Sequence, residues 1–502
     1  MFFFPYILGG HLIPMIDLAR VFASHGAKVT IVTTPHNALL FQKPVDRDRN
    51  LGRDICFHML DFPTEKFGLP DGCENELNTT SGVMFAKLFK ATMNLQHPLE
   101  KLLRETRPDC LVSDRLYPWT AQLSNNLGIP RIVFDGTGCF SHCVEESLRR
   151  YEPHENALVP DTERFALPGL PDKIELKRSM LPDYVKTENL ITSFLNEALE
   201  GEIMSYGVVV NSFYELEKRY ADFFCNDMKR KTWHIGPVSL CNRDNVDKLE
   251  RGIKTSVDEN FVLNWLDQKK PSSVLYISFG SMPRITPLQL LEIAHGLEAS
   301  NHPFIWVIGR ILKSNSDSTK QDRSDGGDLL PQGFEERLKE SRRGLVIHGW
   351  APQLLILEHK AVGGYMNHCG WNSIIEGVTA GVPMITWPFA SEQFYNERFV
   401  VDVIKVGISV GNEEYWEPWK AQPRVTVVRK RVTSAVNQLM AGDMDEEVAK
   451  MRVRAREYGE KAKRAVEVGG SSYAGVEAFL EELSSRRRRG TETSRPEMVT
   501  AR

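Results

Sequence analysis

Short apolar runs alternate with amphipathic stretches through the first half of the chain. Apolar runs predict strands, and stretches with helical spacing predict helices. The expected strands are Phe2–Leu8, Ala27–Thr33, Leu111–Ser113, Pro130–Phe134, Val208–Asn211 and Thr232–Ile235, and the expected helices include His11–Ser24 and Trp119–Leu127. The polar stretches Phe41–Arg53 and Asp71–Ser81 predict loops. This alternation is typical of a parallel sheet covered by helices.

The same alternation restarts in the second half. Gly236-Pro237 ends the first pattern, and residues 239–260 are polar and charged without a clear period, which predicts a linker. Helices are expected from Val425 to about Ser485, and strands at Ser273–Phe279, Phe304–Ile308, Leu345–His348, Gly363–Met366 and Pro383–Thr386. We therefore expect one α/β domain at 1–238 and a second at 261–468. A helix at 469–485 should pack back on the first domain, and a tail at 486–502 should be disordered.

Composition narrows the class of protein. The chain has 502 residues, enough for two domains, with 42% hydrophobic and 25% charged residues. A net charge of −4 gives no reason to expect binding to nucleic acid. Eight cysteines show no metal-ligand spacing, the apolar start is too short for a leader, and no apolar stretch approaches the roughly 20 residues that span a bilayer. A soluble, cytoplasmic protein without membrane insertion is expected.

Two polar residues of the first half follow strands, where ligands bind in open α/β sheets. His11 follows Gly9-Gly10 at the start of the first helix, and Asp114 ends another strand. The positive helix end should disfavour imidazolium and keep His11 a neutral base near pH 7, while Asp114 could accept its Nδ1–H. Alone, His11 could equally satisfy a helix terminus, and Asp114 could be a cap or a salt-bridge partner.

The stretch from Trp350 to Gln393 contains a denser set of polar and aromatic residues at strand ends. It reads WAPQLLILEHKAVGGYMNHCGWNSIIEGVTAGVPMITWPFASEQ. A tryptophan after a strand can stack on a nucleobase, and a turn that opens a helix can bind phosphates. By these rules the candidates are Trp350, Ala351 and Gln353 for the base, Ser281, His368, Asn372 and Ser373 for the phosphates, Glu376 for the ribose, and Trp387, Glu392 and Gln393 for a sugar.

This stretch resembles the signature sequence of plant secondary-product glycosyltransferases, the UDP-sugar-dependent family. The matching positions are WAPQ, His359, Gly363-Gly364, HCGWNS, EG, GVP, WP and EQ. The resemblance extends to Gly10-His11 with Pro14, to SDRLYPW and to Phe279-Gly280-Ser281, so it covers nearly the whole chain. Two positions depart from the family pattern: Gly9 stands where a histidine is frequent, and Asn367 replaces a threonine or serine. Neither change is expected to affect the chemistry.

The resemblance implies a GT-B type α/β fold, with two facing Rossmann-like domains and an interdomain cleft. It implies His11 as the catalytic base, Asp114 as its partner, and the donor-site roles given above. Gln393 and Trp371 are similar to those of glucose users. An inverting reaction without cofactor or metal is implied. The triplets Asp46/Asp48 and Asp443/Asp445 lie in hydrophilic surroundings away from the strand-end motifs, so they are interpreted as solvated charge.

The acceptor should be a small hydrophobic plant metabolite such as a flavonoid, coumarin, triterpenoid or hormone. Candidate pocket residues are Met84, Phe85, Phe89 and Phe140, although each could equally be a core residue. A monomer is expected. Two other classes are alternatives: a dinucleotide oxidoreductase, although no GxGxxG motif follows a strand in this sequence, and a sugar-nucleotide binding protein without catalysis. Intact His11 and Asp114 favour the enzyme.

Overall fold

The computed structural model contains one parallel β-sheet in each half of the chain, with helices packed against both. It describes residues 1–156, 160, 162–281, 285–309, 329–416, 425–442 and 445–492. The α/β class with two sheet-based domains is confirmed. Within these ranges, no helix is both long and apolar enough to cross a membrane.

Nine strands lie in the described part of the first half. In chain order they are β1 (Phe2–Phe4), β2 (Val29–Thr33), β3 (Ile55–Met59), β4 (Leu111–Asp114), β5 (Arg131–Phe134), β6 (Arg164–Ala166), β7 (Glu175–Lys177), β8 (Gly207–Val210) and β9 (Thr232–His234). Strands β6 and β7 form an antiparallel pair. The other seven form a sheet in the order β3-β2-β1-β4-β5-β8-β9, which places β1 beside β4.

The helices of this half include one that the sequence reading missed. They are α1 (Gly9–Ser24), α2 (Pro35–Asn50), α3 (Gly82–Thr92), α4 (Gln96–Thr106), α5 (Trp119–Leu127), α6 (Cys139–Tyr151), α7 (Asp183–Lys186), α8 (Leu190–Ile203) and α9 (Tyr214–Asn226). The predicted loop at Phe41–Arg53 is wrong, because α2 covers most of it. Pro35 starts this helix, and Phe41 and Val45, four positions apart, are both buried against the core.

The second sheet has six parallel strands. They are β10 (Val274–Ser278), β11 (Phe304–Ile308), β12 (Gly344–His348), β13 (Val362–Asn367), β14 (Met384–Thr386) and β15 (Gly407–Ser409), in the order β12-β11-β10-β13-β14-β15. The helices are α10 (Asn245–Leu249), α11 (Glu259–Asp267), α12 (Pro287–Ser300), α13 (Phe334–Ser341), α14 (Gln353–Glu358), α15 (Trp371–Thr379), α16 (Gln393–Arg398), α17 (Arg429–Met440), α18 (Glu446–Ala465) and α19 (Ser471–Glu492). The short strand β15 was not predicted.

The segment between the sheets is held by buried ion pairs. Arg20 of α1 binds Asp48 of α2 at 2.6 Å and Asp247 of α10 at 2.8 Å, and Arg47 of α2 binds Asp247 at 2.6 Å. Asp48 is therefore buried rather than solvated, which corrects the interpretation of the Asp46/Asp48 triplet. Its counterpart at Asp443 lies outside the described residues.

The last helix returns to the first sheet. Phe479 of α19 packs against Phe22 of α1 and Trp233 of β9, with ring centroids 4.9 Å apart in both pairs. The expectation of disorder from residue 486 is wrong for 486–492, because α19 continues to Glu492. Arg486 lies over the ring of Tyr206 at 5.1 Å, a cation–π contact that favours the ordered helix. Residues 493–502 lie outside the described residues.

Candidate active site

His11 and Asp114 form a hydrogen-bonded pair at adjacent strand ends. Helix α1 begins just after β1, and Asp114 is the last residue of the neighbouring β4. The two atoms in contact are His11 Nδ1 and Asp114 Oδ2, 2.9 Å apart. Asp114 is fully buried, and its Oδ1 accepts from the Leu116 N–H at 2.9 Å. An Nδ1–H donated to Asp114 leaves Nε2 of His11 as the atom that can take a proton.

The charge state of His11 differs from the sequence-based expectation. Burial lowers its pKa, but the charge and hydrogen bond of Asp114, helped by Asp135 and Glu392, outweigh burial and raise the pKa to about 9. The prediction of a neutral imidazole near pH 7 is therefore wrong. The helix end carries only about half a charge, whereas Asp114 places a full carboxylate in hydrogen-bond contact.

Charged residues that the sequence reading missed lie beside this pair. Arg115 NH1 lies 3.1 Å from Asp135 Oδ2 and 3.3 Å from Glu145 Oε2, and His142 Nε2 lies 3.2 Å from the same Asp135 oxygen. Burial raises the pKa of Asp135, but Arg115 and His142 lower it further, so Asp135 stays ionised. The sequence could have predicted that Arg115 and Asp135 lie at this edge of the sheet, because they directly follow β4 and β5. The ion pair between Arg115 and Asp135 could not be predicted in this way.

The predicted base-binding residues cluster after β12. Trp350 is half-buried, and its backbone is fixed by Ser256, whose Oγ accepts from Trp350 N at 2.9 Å and whose N–H donates to Trp350 O at 2.8 Å. Gln353 Oε1 accepts from the hydroxyls of Tyr276 at 3.2 Å and Tyr365 at 3.1 Å. Ala351 is buried beside them. Trp350 thus lies directly after β12, at the carboxyl edge of the sheet, with its side chain free of these backbone contacts.

The predicted phosphate-binding residues meet at the turn between β13 and α15. Register pairs Ser278 of β10 with Asn367 of β13, so the loops bearing Ser281 and His368 emerge side by side. Gly280 has φ +74°, and a Cβ there would lie 2.6 Å from the His368 ring, so only glycine allows this approach. Burial lowers the pKa of His368 to about 4, which keeps the imidazole neutral.

Other members of this group make contacts across the cleft. The Asn372 amide donates to the Gly10 carbonyl at 2.6 Å, and Ser281 Oγ lies 3.4 Å from Glu76 Oε1. Ser373 is buried in the first turn of α15, at the positive end of that helix. The turn between β13 and α15, which is predicted to bind phosphate, therefore lies directly opposite the residue that precedes His11.

The candidate residues for the ribose and the sugar make different hydrogen bonds within the protein. Glu376 Oε2 accepts from Gln353 at 2.7 Å. Gln393 Oε1 accepts from Phe389 N and Ala390 N, which leaves its Nε2 to donate to a ligand. Burial, with the nearby charges of Asp135 and Glu145, raises the pKa of Glu392 to about 7.

Both tryptophans assigned near the sugar are buried. Trp387 is 0% exposed and packs between Phe279, with centroids at 5.5 Å, and Phe389, at 6.0 Å. Its indole belongs to the core and not to the cleft surface, which corrects its assigned role. Trp371 donates from Nε1 to the Asn211 carbonyl at 2.8 Å, so its indole joins the two halves.

The acceptor candidates divide into surface and core. Met84, Phe85 and Phe89 lie half-buried on α3, where Phe89 meets Phe194 at 5.3 Å. Phe140 is 0% exposed and contacts Tyr220 at 4.7 Å and Phe399 at 5.1 Å. Phe140 is therefore a core residue, and its assignment to the acceptor pocket is wrong.

Known proteins are similar to this chain in sequence. Residues 263–410 match the family model described as UDP-glucoronosyl and UDP-glucosyl transferase. Abscisate beta-glucosyltransferase of Phaseolus angularis is 47% identical over 97% of this chain and 97% of its own length. Scopoletin glucosyltransferase of Nicotiana tabacum is 45% identical over 96% of this chain and 98% of its own length.

Solved structures extend the likeness to three dimensions. A Glycyrrhiza uralensis protein, crystallised with glycyrrhetinic acid 3-O-monoglucuronide, superposes with a TM-score of 0.90 at 41% identity, over 98% of this chain and 97% of its own. An Arabidopsis thaliana protein in complex with UDP-L-rhamnose gives a TM-score of 0.71 at 27% identity, over 96% and 98%. These matches extend over nearly the whole length of both chains. They show that the chain is an enzyme of the plant UDP-glycosyltransferase family.

Proposed function

We propose that the protein transfers glucose from UDP-glucose to a hydroxyl or carboxyl group of a small hydrophobic plant metabolite, giving a β-glucoside. The observation that carries this proposal is the 2.6 Å hydrogen bond from Asn372 to Gly10. This bond holds the turn that is predicted to bind phosphate next to the residue before His11. Relatives named for abscisate, scopoletin and flavonoid glucosylation support this acceptor class.

The reaction follows from the His11–Asp114 pair. For a hydroxyl acceptor, Nε2 of His11 takes the proton of the hydroxyl as its oxygen forms a bond to C1 of the glucose; a carboxyl acceptor is already ionised and needs no proton removed. The bond from C1 to the UDP oxygen breaks on the opposite face, so the configuration at C1 inverts. Asp114, at 2.9 Å from Nδ1, stabilises the imidazolium that forms.

The departing diphosphate gains negative charge, and the second half of the chain supplies positive partial charge. The α15 N-terminus, with Ser373 in its first turn, presents backbone N–H groups toward the turn. The neutral His368 can donate one N–H, and Ser281 can donate its hydroxyl. Donors held in place before the reaction stabilise a leaving group without reorganisation.

Three further properties are part of the proposal. We expect activity without a divalent metal, a monomer in solution and a cytoplasmic location. Across the described residues, His, Cys, Asp and Glu side chains do not form a group of three that could hold a metal ion. Retained activity after EDTA treatment and a monomeric mass in size-exclusion chromatography with light scattering are the expected results.

The decisive experiment incubates the purified protein with UDP-glucose and a panel of plant phenols, terpenoids and acids. Mass spectrometry should find products heavier by one hexose residue, and NMR should show the β-anomer. The variant His11→Ala should lose at least about 10²-fold in kcat while binding UDP as the parent does. UDP binding without any product over the whole panel would instead favour a nucleotide-binding protein without catalysis.

A further inference from the structure

Arg251 joins the predicted ribose carboxylate to the catalytic helix. Its NH1 lies 2.5 Å from Glu376 Oε1, and its Nε lies 2.7 Å from Asp17 Oδ2 on α1. All three side chains are nearly buried, with 11%, 3% and 4% of Arg251, Glu376 and Asp17 exposed. Burial lowers the pKa of Arg251, but the two carboxylates raise it further, so the guanidinium stays charged.

The backbone around Arg251 is fixed on α1. Gly252 has φ +88°, and a Cβ at this position would lie 3.1 Å from Ile13 Cδ1, so glycine permits close contact with the helix. Asp17 Oδ1 also accepts from Asn242 at 3.0 Å. Since α1 carries both His11 and Asp17, the arginine is attached to the element that positions the base.

The remaining contacts of Glu376 show what Arg251 contributes. Gln353 donates to Oε2 at 2.7 Å, while Arg251 occupies one site on Oε1. A carboxylate has about four acceptor sites, so two remain for the two hydroxyls of a ribose. With donors on both oxygens, the plane of the carboxylate is fixed before a nucleotide arrives, which lowers the entropic cost of binding.

We propose that Arg251 is a positioning residue for donor recognition: it orients Glu376 toward the ribose hydroxyls and ties this carboxylate through Asp17 to the helix that bears His11. The proposal rests on the proposed function, because it takes Glu376 as the ribose ligand. It assigns a role to a residue of the segment that the sequence pattern predicts as a linker.

The test compares two nucleotides by titration calorimetry: UDP and 2′-deoxy-UDP, which lacks one hydroxyl that Glu376 would accept. In the parent protein, UDP should bind at least about 10-fold more tightly, as expected for a hydrogen bond to a charged group. In Arg251→Met this ratio should fall toward 1, with the Kd of 2′-deoxy-UDP changed less than the Kd of UDP. Arg251→Lys keeps the positive charge but lacks the planar guanidinium that can contact two carboxylates at once, so it should give an intermediate ratio.

Arg47→Gln is the matched control, because Arg47 forms ion pairs with Asp247 and Glu250, two carboxylates that precede Arg251 in the same segment, and neither contact involves Glu376. It should keep the parent ratio. An unchanged ratio in Arg251→Met, or equal weakening of both nucleotides, overturns the proposal and makes Arg251 a purely structural anchor. If Arg251→Met does not fold, Arg251→Lys decides by the same ratio. The two proposals fail separately. Absence of product from the parent protein would contradict the proposed function, whereas the ratio of the two Kd values is measured without turnover and tests only the role of Arg251.

Discussion

Replacing Asp114 with asparagine tests how the buried carboxylate sets the working pH of His11. The substitution keeps the size of the side chain and removes its charge. In the parent, Asp114 is the strongest influence that raises the pKa of His11, from 6.5 to about 9. In Asp114→Asn, burial becomes dominant, so the pKa should fall to 6.5 or below.

The size of the effect follows from these values. The difference between 6.5 and about 9 corresponds to about 3 kcal/mol in favour of imidazolium, and it leaves about 1% of His11 neutral at pH 7. Because the folded-state pKa is raised, the resulting stabilisation is fully present below pH 6.5 and is lost as pH rises through about 9. Asp114→Asn should lack this pH dependence of unfolding.

The assay is kcat/KM for the acceptor between pH 6 and pH 10, which reports the free enzyme. Parent activity should rise up to about pH 9, whereas the Asp114→Asn profile should be flat above about pH 6.5. At the alkaline plateau, kcat/KM of the variant should be about 10²–10⁴-fold lower than that of the parent. At pH 7 this ratio of parent to variant should be about 100-fold smaller, because only about 1% of His11 is neutral in the parent. A constant ratio of the two activities across this range would refute the reasoning. Circular dichroism at each pH checks that both proteins remain folded.

Two further predictions follow from where the structure places side chains. Phe140→Ala should lower the free energy of unfolding by about 3–5 kcal/mol in chemical denaturation, because Phe140 is a fully buried core residue. Phe85→Ala should instead raise the KM for the acceptor with little change in the free energy of unfolding. The reverse pattern in these two variants would contradict both placements. Gln393→His should weaken use of UDP-glucose relative to UDP-galactose, because an imidazole cannot reproduce the amide held by Phe389 N and Ala390 N; an unchanged ratio of the two kcat/KM values would remove Gln393 from sugar selection.

Local patterns predicted most of the fold and the positions of most candidate residues. Strand–helix alternation identified both sheets, and polar residues at strand ends such as Asp114 and His368 lie at the carboxyl edges as expected. Helix α2 was missed because its many charged residues resemble a loop. Phe140 and Trp387 were misplaced, since an aromatic residue near a cleft and one in the core behind it have the same local sequence signal.

The sequence by itself determined the fold class, the strand ends that carry the candidate site residues and the family to which the chain belongs, because these depend on residues close together along the chain. Only the tertiary structure decided the protonation of His11 and the bridge made by Arg251. Both depend on charges brought together from distant positions: Asp114 lies in another strand, and Asp17 and Glu376 come from opposite halves of the chain. The strength of such interactions is set by burial and by distances of about 3 Å, which periodicity and composition do not encode.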